Sequence, residues 1–319
     1  MKFSLRVLKY MKDFWFLETV AYLCMLGINF VQIYRPQLTK QIIDVGITEN
    51  QPDVLTTSVL MLLALTLVQG VLRFGETYLT ERVSQGIAYV LRNQLYQKMQ
   101  KLSFSYHDKT QTGQLLSRTT RDVDRLRRLT GRSILNLVQA IILVVSTAVI
   151  LFRTNATLAA CSLLVMPIIV LYMSKYVNTV HPLWHQRQDI MGDLTTRLEQ
   201  NLYGLKVVRG FAQEDAERER FAQPNQQIFD ISMDLARRQA VAMPLTVFLA
   251  SSSAVFILWL GGSFVIQGKL TLGEMIAFNA YVLQLVAPMR QLANVANMLG
   301  ESEASAERVF EVLDADVEI

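Results

Sequence analysis

The sequence has few of the residues on which soluble enzymes and metal sites usually depend. Its 319 residues include two cysteines and three histidines, and only 18% of the residues are charged, compared with roughly 25% in an average soluble domain. Cys24 and Cys161 each lie in an apolar stretch without a CxxC neighbour, so we interpret both as small apolar residues and not as disulfide or zinc ligands. The net charge of +4 is too small to indicate a nucleic-acid partner.

Catalytic constellations are missing as well. The sequence contains no Ser/His/Asp arrangement and no pair of acidic residues that would make a plausible site. His181, His185 and Asp189 follow one another at four-residue steps, a spacing that can hold a metal. Pro182 disturbs that turn, however, and no glutamate follows His181 as in a metalloprotease helix. We interpret the three as an exposed helical stripe, so the sequence predicts no catalytic, cofactor or metal site in this chain.

Long uncharged runs are what the sequence has in abundance. They are Thr19–Tyr34, Val54–Leu72, Ile134–Leu151, Asn155–Ser174, Gln239–Gly268 and Met275–Met289. A helix needs about 20 apolar residues to cross a bilayer, and the first and last runs reach that length only if Glu18 and Glu274 lie at the interface or face a polar interior. The pattern predicts an all-α membrane protein with six transmembrane helices. We place the spans at about 15–35, 54–74, 133–152, 156–176, 243–267 and 273–293.

The positions of lysine and arginine predict the orientation of these spans. With the N-terminus inside, 26 of the 31 basic residues fall in cytoplasmic stretches and three in the outer loops. Cytoplasmic loops of membrane proteins carry this excess of positive charge. The sequence therefore predicts a multi-pass protein of the plasma (inner) membrane with both termini in the cytoplasm.

The two inner connections, roughly 74–133 and 175–238, are far longer than the outer loops. Apolar residues recur in them at helical steps of three and four, at Ile87, Leu91, Leu95, Met99 and Leu102 and again at Met191, Leu194, Leu198, Leu202 and Leu205. No proline occurs between Pro52 and Pro167, so a helix over 54–102 would be about 74 Å long. The spans are predicted to continue as helical stalks tens of ångströms into the cytoplasm.

The helical pattern breaks once in each connection, at 103–109 and at 203–211. Each break is interpreted as a short segment at the tip of a stalk, and the simplest alternative is an ordinary turn. Aromatic residues and arginine are enriched at protein interfaces, which favours a contact role. The residues predicted to make that contact are Phe104, Tyr106, His107 and Asp108 at the first tip, and Tyr203, Gly204, Val207, Arg209 and Phe211 at the second.

A ladder of arginines follows the first tip. It consists of Arg118, Arg121, Arg125, Arg128 and Arg132, a spacing also seen in voltage-sensor helices. The residues around the arginines include several polar ones, and Asp122 and Asp124 have the helical spacing that allows pairing with Arg125 and Arg128. We interpret the ladder as a solvated, ion-paired helix.

With these features, the chain resembles the transmembrane domain of the ABC exporter family with six helices per half. The resemblance covers nearly the whole chain and rests on the order and spacing of several segments. They are Tyr106–Asp108, Gly113–Arg118 and Arg121–Val123 for the first inner loop, Asn201–Phe211 for the second, Gly261–Gly262, Gly268–Glu274 and Ala277–Phe278 for the turn into the last helix, Pro288–Met289 within that helix, and Ser305–Phe310 with Leu313 at its end.

The sequence departs from that family in one respect. It contains no GxxxxGK[ST] phosphate loop, since the only Gly-Lys pair, Gly268–Lys269, is followed by leucine, and it contains no LSGGQ stretch. We therefore expect the transmembrane domain to cover 1–313, with 314–319 as the start of a linker to an ATP-binding domain outside this chain. ATP and Mg²⁺ would bind there, and this chain alone is not expected to act as an enzyme.

The resemblance implies the transmembrane half of an ATP-driven exporter. It would pair with a second half, identical or different, and with nucleotide-binding domains that contact the two tips. The shared cavity would alternate its access across the bilayer for a lipophilic small molecule, lipid or peptide. Polar residues within the spans are the cavity candidates, although helix–helix hydrogen bonding explains them equally well: Asn29, Gln32, Gln139, Asn279, Tyr281 and Gln284. The alternative function is a six-span channel or membrane scaffold that needs no ATPase.

Overall fold

The computed structural model describes residues 6–103, 105–106 and 112–315, without the side chains of 112 and 289–297. Within these ranges the chain is helical and contains no strand. The helices are α1 Trp15–Gln41, α2 Pro52–Lys101, α3 Thr112–Ser117, α4 Val123–Arg128, α5 Ile134–Thr154, α6 Ala156–Leu163, α7 Val165–Tyr203, α8 Leu205–Gly210, α9 Glu214–Phe256, α10 Gly262–Ile266, α11 Leu272–Gln284 and α12 Val286–Asp314. A 3₁₀ turn, Lys9–Phe14, precedes α1, and π-type turns, Ile42–Thr48, Arg118–Asp122, Leu129–Ser133 and Ile257–Gly261, join or extend neighbouring helices.

The described residues contain five helical stretches that are long and apolar enough to cross a membrane. They are Arg6–Thr48, Pro52–Lys101, Gly113–Thr154, Ala156–Tyr203 and Glu214–Ile266, and a shorter apolar helix covers Leu272–Pro288. The all-α fold predicted from the sequence is confirmed. The limits of the individual spans and the domain boundary at 313 stay predictions, because length and composition do not mark the surfaces of the bilayer.

The chain divides into two compact units. The first comprises residues 1–163 and 254–319, and the second comprises residues 164–253. The second unit contains α7, α8 and most of α9, the two long helices and the tip of the second inner connection. Pro182 lies inside α7 without ending it, although a proline has no backbone N–H to donate within the turn.

The part of the first unit that contains the N-terminus, the end of α2 and the end of α12 has a large buried core, and we call it the base. Its buried apolar cluster joins the stripe of α2 to the N-terminus, to α3 and α4, and to the end of α12, through Val7, Val83, Ile87, Ala88, Leu91, Leu95, Leu102, Leu115, Val123, Leu126, Ala306, Val309, Phe310 and Val312. The predicted stripe of α2 is confirmed, since Ile87, Leu91 and Leu95 are fully buried. Burial of such residues contributes roughly 1.5–3 kcal/mol each, so the base holds the stalk of α2 in place.

Ion pairs around the arginine ladder complete the base; the predicted Asp122–Arg125 pair is among them, but both aspartates have closer partners. Asp122 is buried and accepts two hydrogen bonds from Arg308 of α12, from Nε at 3.0 Å and from Nη2 at 2.6 Å. The predicted partner, Arg125, lies farther away at 3.7 Å. Asp124 pairs with Arg92 at 2.9 Å. Of the ladder itself, Arg118 pairs with Glu311 of α12 at 3.0 Å. The ladder segment is therefore bound to other helices through Arg118 and through both aspartates.

The N-terminus is tied to the end of α12 in the same region. The Arg6 guanidinium donates two hydrogen bonds to the Asp314 carboxylate, one of them at 2.8 Å from Nη2 to Oδ1. It also lies over the Phe310 ring, 4.1 Å from the centroid. The hydrogen bond from Arg6 lowers the pKa of Asp314, so this carboxylate stays charged and the tie persists at neutral pH.

A second set of contacts joins α1 to α11 at the opposite end of the first unit. Asp44 accepts a hydrogen bond at its Oδ1 from the Gly273 backbone N–H at 2.8 Å, and at its Oδ2 from the Thr271 hydroxyl. Thr271 and Glu274 form a capping box at the start of α11. Lys40 donates to Glu274 at 2.9 Å. We call this group the outer clamp: Lys40, Asp44, Thr271, Gly273 and Glu274.

Gly273 has no room for a side chain in the outer clamp. A Cβ atom there would lie 2.6 Å from the Lys40 carbonyl oxygen and 2.7 Å from Cγ of Asp44. We expect Gly273→Ala to separate α1 from α11 and to lower the free energy of unfolding by about 1–3 kcal/mol, as overpacking does. Thermal unfolding of the purified protein measures the change.

Gly262→Ala is the matched control for this variant. Gly262 lies in α10 with open space where its Cβ would be, so we expect no loss of stability there. Equal melting temperatures for the two variants would contradict the close packing at Gly273.

The Asp122–Arg308 pair generates a second prediction. Arg308→Ala leaves a buried carboxylate without its main partner, and breaking such pairs is strongly destabilising. Because Arg308 is 40% exposed, we expect a reduced cost of about 2 kcal/mol in unfolding free energy. Adding Asp122→Asn should recover part of the loss, because a neutral amide is less costly to bury than a carboxylate.

Arg218→Ala is the control for Arg308→Ala. Arg218 pairs with Asp215 at 3.5 Å, with the two side chains 83% and 97% exposed, and such surface pairs contribute little. Thermal unfolding that showed the same loss for both variants would contradict a structural role for the buried pair.

Candidate functional site

The tip of the second inner connection is built from a short helix between two turns. α7 ends at Tyr203, Gly204 forms the turn, and α8 follows at once. Backbone hydrogen bonds from Val207 and Val208 to the Gly204 carbonyl, at 2.8 and 3.0 Å, start the short helix. The predicted break in the helical pattern is confirmed.

The chain leaves α8 through a strained residue. Ala212 has a φ of +48°, in the left-handed region that residues with a Cβ seldom occupy. Neither glycine of the tip adopts this conformation, since Gly204 has a φ of −86° and Gly210 is the last residue of α8. A non-glycine residue in this conformation indicates that the turn is held by its surroundings.

Polar contacts between the two long helices fix the base of this tip. Glu217, in the first turn of α9, accepts hydrogen bonds from Asn201 near the end of α7 and from Arg220. These hydrogen bonds lower the pKa of Glu217. The carboxylate is therefore charged at neutral pH and joins the outgoing helix to the returning one.

The tip presents large apolar side chains to solvent. Tyr203 is 93% exposed and Phe211 is 75% exposed, and Val207 and Arg209 are exposed as well. Large exposed apolar groups collected on one segment mark interaction sites. The structure thus brings together all five residues predicted at this tip, and four of them are exposed, while Gly204 is half-buried.

The first tip lies mostly outside the described residues, which is where Phe104, His107 and Asp108 fall. Tyr106 is described, and its side chain packs against the apolar cluster of the base. Tyr106 therefore contributes to packing, and its role in contacting a partner stays a prediction.

Five of the predicted cavity residues lie on α1 and α11, and we call the place where these two helices meet the seam. The Tyr281 hydroxyl donates to the Ile33 carbonyl at 2.6 Å, and the Gln284 amide donates to the Gln32 carbonyl at 3.3 Å. Gln139 lies apart from this seam, half-buried on α5. The contacts show that Tyr281 and Gln284 serve helix packing here, one of the two roles that the sequence left open.

Several polar atoms of this seam remain without a partner. Both side-chain polar atoms of Asn29 are buried, and neither makes a hydrogen bond to a described residue; the same holds for the side-chain oxygens of Gln32, Asn279 and Gln284. An unsatisfied buried polar group costs about 1–3 kcal/mol. These amides can therefore bind water or a polar group of a ligand that enters between the helices.

Sequence reasoning did not find the outer clamp or the Asp122–Arg308 pair. Both join residues more than 180 positions apart. The one local signal was the Thr271–Glu274 capping pattern, Ser/Thr followed three residues later by Glu, which marks a helix start without revealing that Asp44 binds it.

Comparison with known proteins extends these observations. Residues 19–289 match the family model of the ABC transporter transmembrane region. An ATP-dependent lipid A-core flippase from Syntrophus aciditrophicus is 28% identical over 92% of this chain and 49% of its own length. An uncharacterized ABC transporter ATP-binding protein from Bacillus subtilis, YknU, is 28% identical over 93% of this chain and 51% of its own length.

A third relative carries the name of a different transporter. A fatty acid ABC transporter ATP-binding/permease protein from Mycobacterium bovis is 32% identical over 79% of this chain and 40% of its own length. The chain thus spans about half the length of the curated relatives it matches. The match to the family model covers most of the sequence and agrees with the all-helical fold and its apolar spans: this chain belongs to the family of ABC transporter transmembrane regions.

Proposed function

We propose that this chain forms the membrane-spanning half of an ATP-driven exporter that moves an amphipathic lipid or another lipophilic molecule. The observation that carries the proposal is the exposed tip of α7–α9, Tyr203 to Phe211, on helices far longer than a bilayer requires. α7 has 39 residues and would be about 58 Å long, whereas the membrane core is about 30 Å thick. A helix that projects so far and ends in exposed aromatic residues fits contact with a cytoplasmic ATPase.

A second half is proposed on the exposure of the α7 stripe. Its members Leu198 and Leu202 are 47% and 65% exposed, although they repeat the period of the buried α2 stripe. Apolar stripes of this kind are normally covered. A second copy or a related half would cover them, and the two halves would enclose a cavity that opens to alternate sides of the membrane.

Energy would enter through nucleotide-binding domains that hold ATP and Mg²⁺. Their closure would move the tips, and the state in which the domains are closed would favour one orientation of the cavity. Such coupling needs only a difference in binding free energy between two conformations. This chain would contribute the stiff helices that carry the movement.

The substrate class is inferred from the relatives and from the seam of amides. Relatives carry names for lipid A-core and fatty acid transport, and the buried amides of Asn29 and Asn279 offer polar groups in an apolar surrounding. A molecule with a polar head and an apolar body fits both. The plasma (inner) membrane is the proposed location, with both termini inside, on the distribution of lysine and arginine.

Cysteine labelling in right-side-out and inverted vesicles tests the topology. Cys24 and Cys161 are first replaced by alanine, and single cysteines are then placed at Gln51 and Val207, both exposed. An impermeant maleimide should label position 51 only from outside and position 207 only from inside. Labelling of position 207 from the outer side would overturn the orientation.

Alanine substitution at the tip tests the coupling to ATP hydrolysis. In the assembled transporter, Phe211→Ala should reduce transport at least about tenfold, because a few large anchors carry most of an interface's binding energy. Hydrolysis should persist but lose its stimulation by substrate. Both rates are measured on the same reconstituted preparation.

Phe229→Ala is the matched control for Phe211→Ala. Phe229 is also exposed, at 58%, but lies within α9 away from the tip, so its loss should leave the coupling ratio unchanged. Tight coupling in the Phe211 variant would remove the tip from the mechanism. Transport without added ATP would favour the channel or scaffold alternative.

A further inference from the structure

An open cavity of about 430 Å³ lies between α7 and α9 in the second unit. Its volume falls in the range of small-molecule sites, about 300–1,000 Å³. The residues that give the cavity its chemistry are Tyr172, Lys175, Tyr176, Arg237, Arg238 and Val241. Basic groups and tyrosines therefore form a concave surface on two neighbouring helices.

The positive charge of this cavity is only partly compensated. Arg238 donates to Asp234 of its own helix at 3.0 Å. Lys175 and Arg237 make no ion pair with any residue in the described part of the chain, and no described carboxylate lines the cavity. A concave site lined by charge of one sign concentrates the opposite charge, so its chemistry fits an anion.

Neighbouring contacts place the cavity at one end of an apolar surface. The Thr246 hydroxyl lies 3.3 Å from the Met173 sulfur, which fixes how α7 and α9 face each other. On this side of the cavity, Leu171 and Phe248 are 72% and 66% exposed, as expected for side chains in contact with lipid. Away from it, the helices carry charged residues such as Asp234.

The cavity thus straddles the predicted inner ends of the spans at 156–176 and 243–267. Tyrosines favour the membrane–water interface because the ring is apolar and the hydroxyl is polar. Basic pockets between membrane helices on the cytoplasmic side bind phosphate headgroups. Both features occur here in one place.

We propose that this cavity is a binding site for the phosphate headgroup of an anionic phospholipid from the inner leaflet. Lys175 and Arg237 neutralise the phosphate, while the acyl chains lie on the apolar surface around Leu171 and Phe248. This inference rests on the orientation proposed for the exporter. The lipid it holds is a resident of the membrane, bound apart from the seam of amides.

Native mass spectrometry of the full chain in detergent tests the site directly. Phosphatidylglycerol and phosphatidylcholine with identical acyl chains are titrated, and the dissociation constants are compared. The protein should prefer phosphatidylglycerol. In the double variant Lys175→Gln/Arg237→Gln, phosphatidylglycerol binding should weaken about 30-fold, roughly fivefold for each charge, with phosphatidylcholine unchanged.

Two controls separate this site from general charge effects. Arg197→Gln/Arg218→Gln removes two exposed charges from the same pair of helices outside the cavity and should keep the preference. Lys175→Arg/Arg237→Lys keeps both charges and should keep it too. Melting temperatures in phosphatidylcholine establish that each variant is folded.

Three outcomes would overturn the proposal. They are equal affinity for the two lipids, an unchanged preference in the Lys175→Gln/Arg237→Gln variant, and displacement of phosphatidylglycerol by an equal concentration of inorganic phosphate, which would indicate a site for soluble anions. The assay involves neither ATP nor transport. Its failure therefore leaves the exporter function untouched, and failure of transport leaves its readout unchanged.

Discussion

The backbone of a membrane-spanning segment must satisfy its own hydrogen bonds, because lipid offers no donors or acceptors. Helices are the solution in this chain, and the same hydrogen-bonding pattern continues past the apolar stretches. α2 contains 50 residues without an interruption, about 75 Å of helix for a membrane core of about 30 Å. The remainder is a stiff extension whose position is set only by what it packs against.

Two apolar stripes that look alike in sequence differ greatly in their burial. Ile87, Leu91 and Leu95 are fully buried in the base, whereas Leu198 and Leu202, at the same helical period, remain exposed. Periodicity depends on the helix alone, so the sequence predicted both helices and the break at 203–211. The sequence could not predict burial, because the burial of a stripe depends on which other helix packs against it.

The same distinction explains the arginine ladder and the seam of amides. Local spacing correctly indicated the Asp122–Arg125 ion pair, but the closest partner of Asp122 is Arg308, 186 residues away. The polar residues in the spans could be selected by type. The hydrogen bonds from Tyr281 and Gln284 to the backbone of α1 could not be predicted, because nothing in the sequence sets the rotation of one helix against another.

Two groups of contacts hold α11 and α12 in the first unit. The outer clamp binds the start of α11 to α1, and Arg308 binds the end of α12 to Asp122. Between them, Tyr281 and Gln284 donate to carbonyl groups of α1. Sliding α11 along α1 would break several of these contacts together, at a net cost of about 0.5–1.5 kcal/mol for each neutral hydrogen bond and more for the charged ones. The seam is therefore expected to move as one body. An alternating cavity built from this chain would open against the second half, where the exposed stripe of α7 offers apolar contact without such ties.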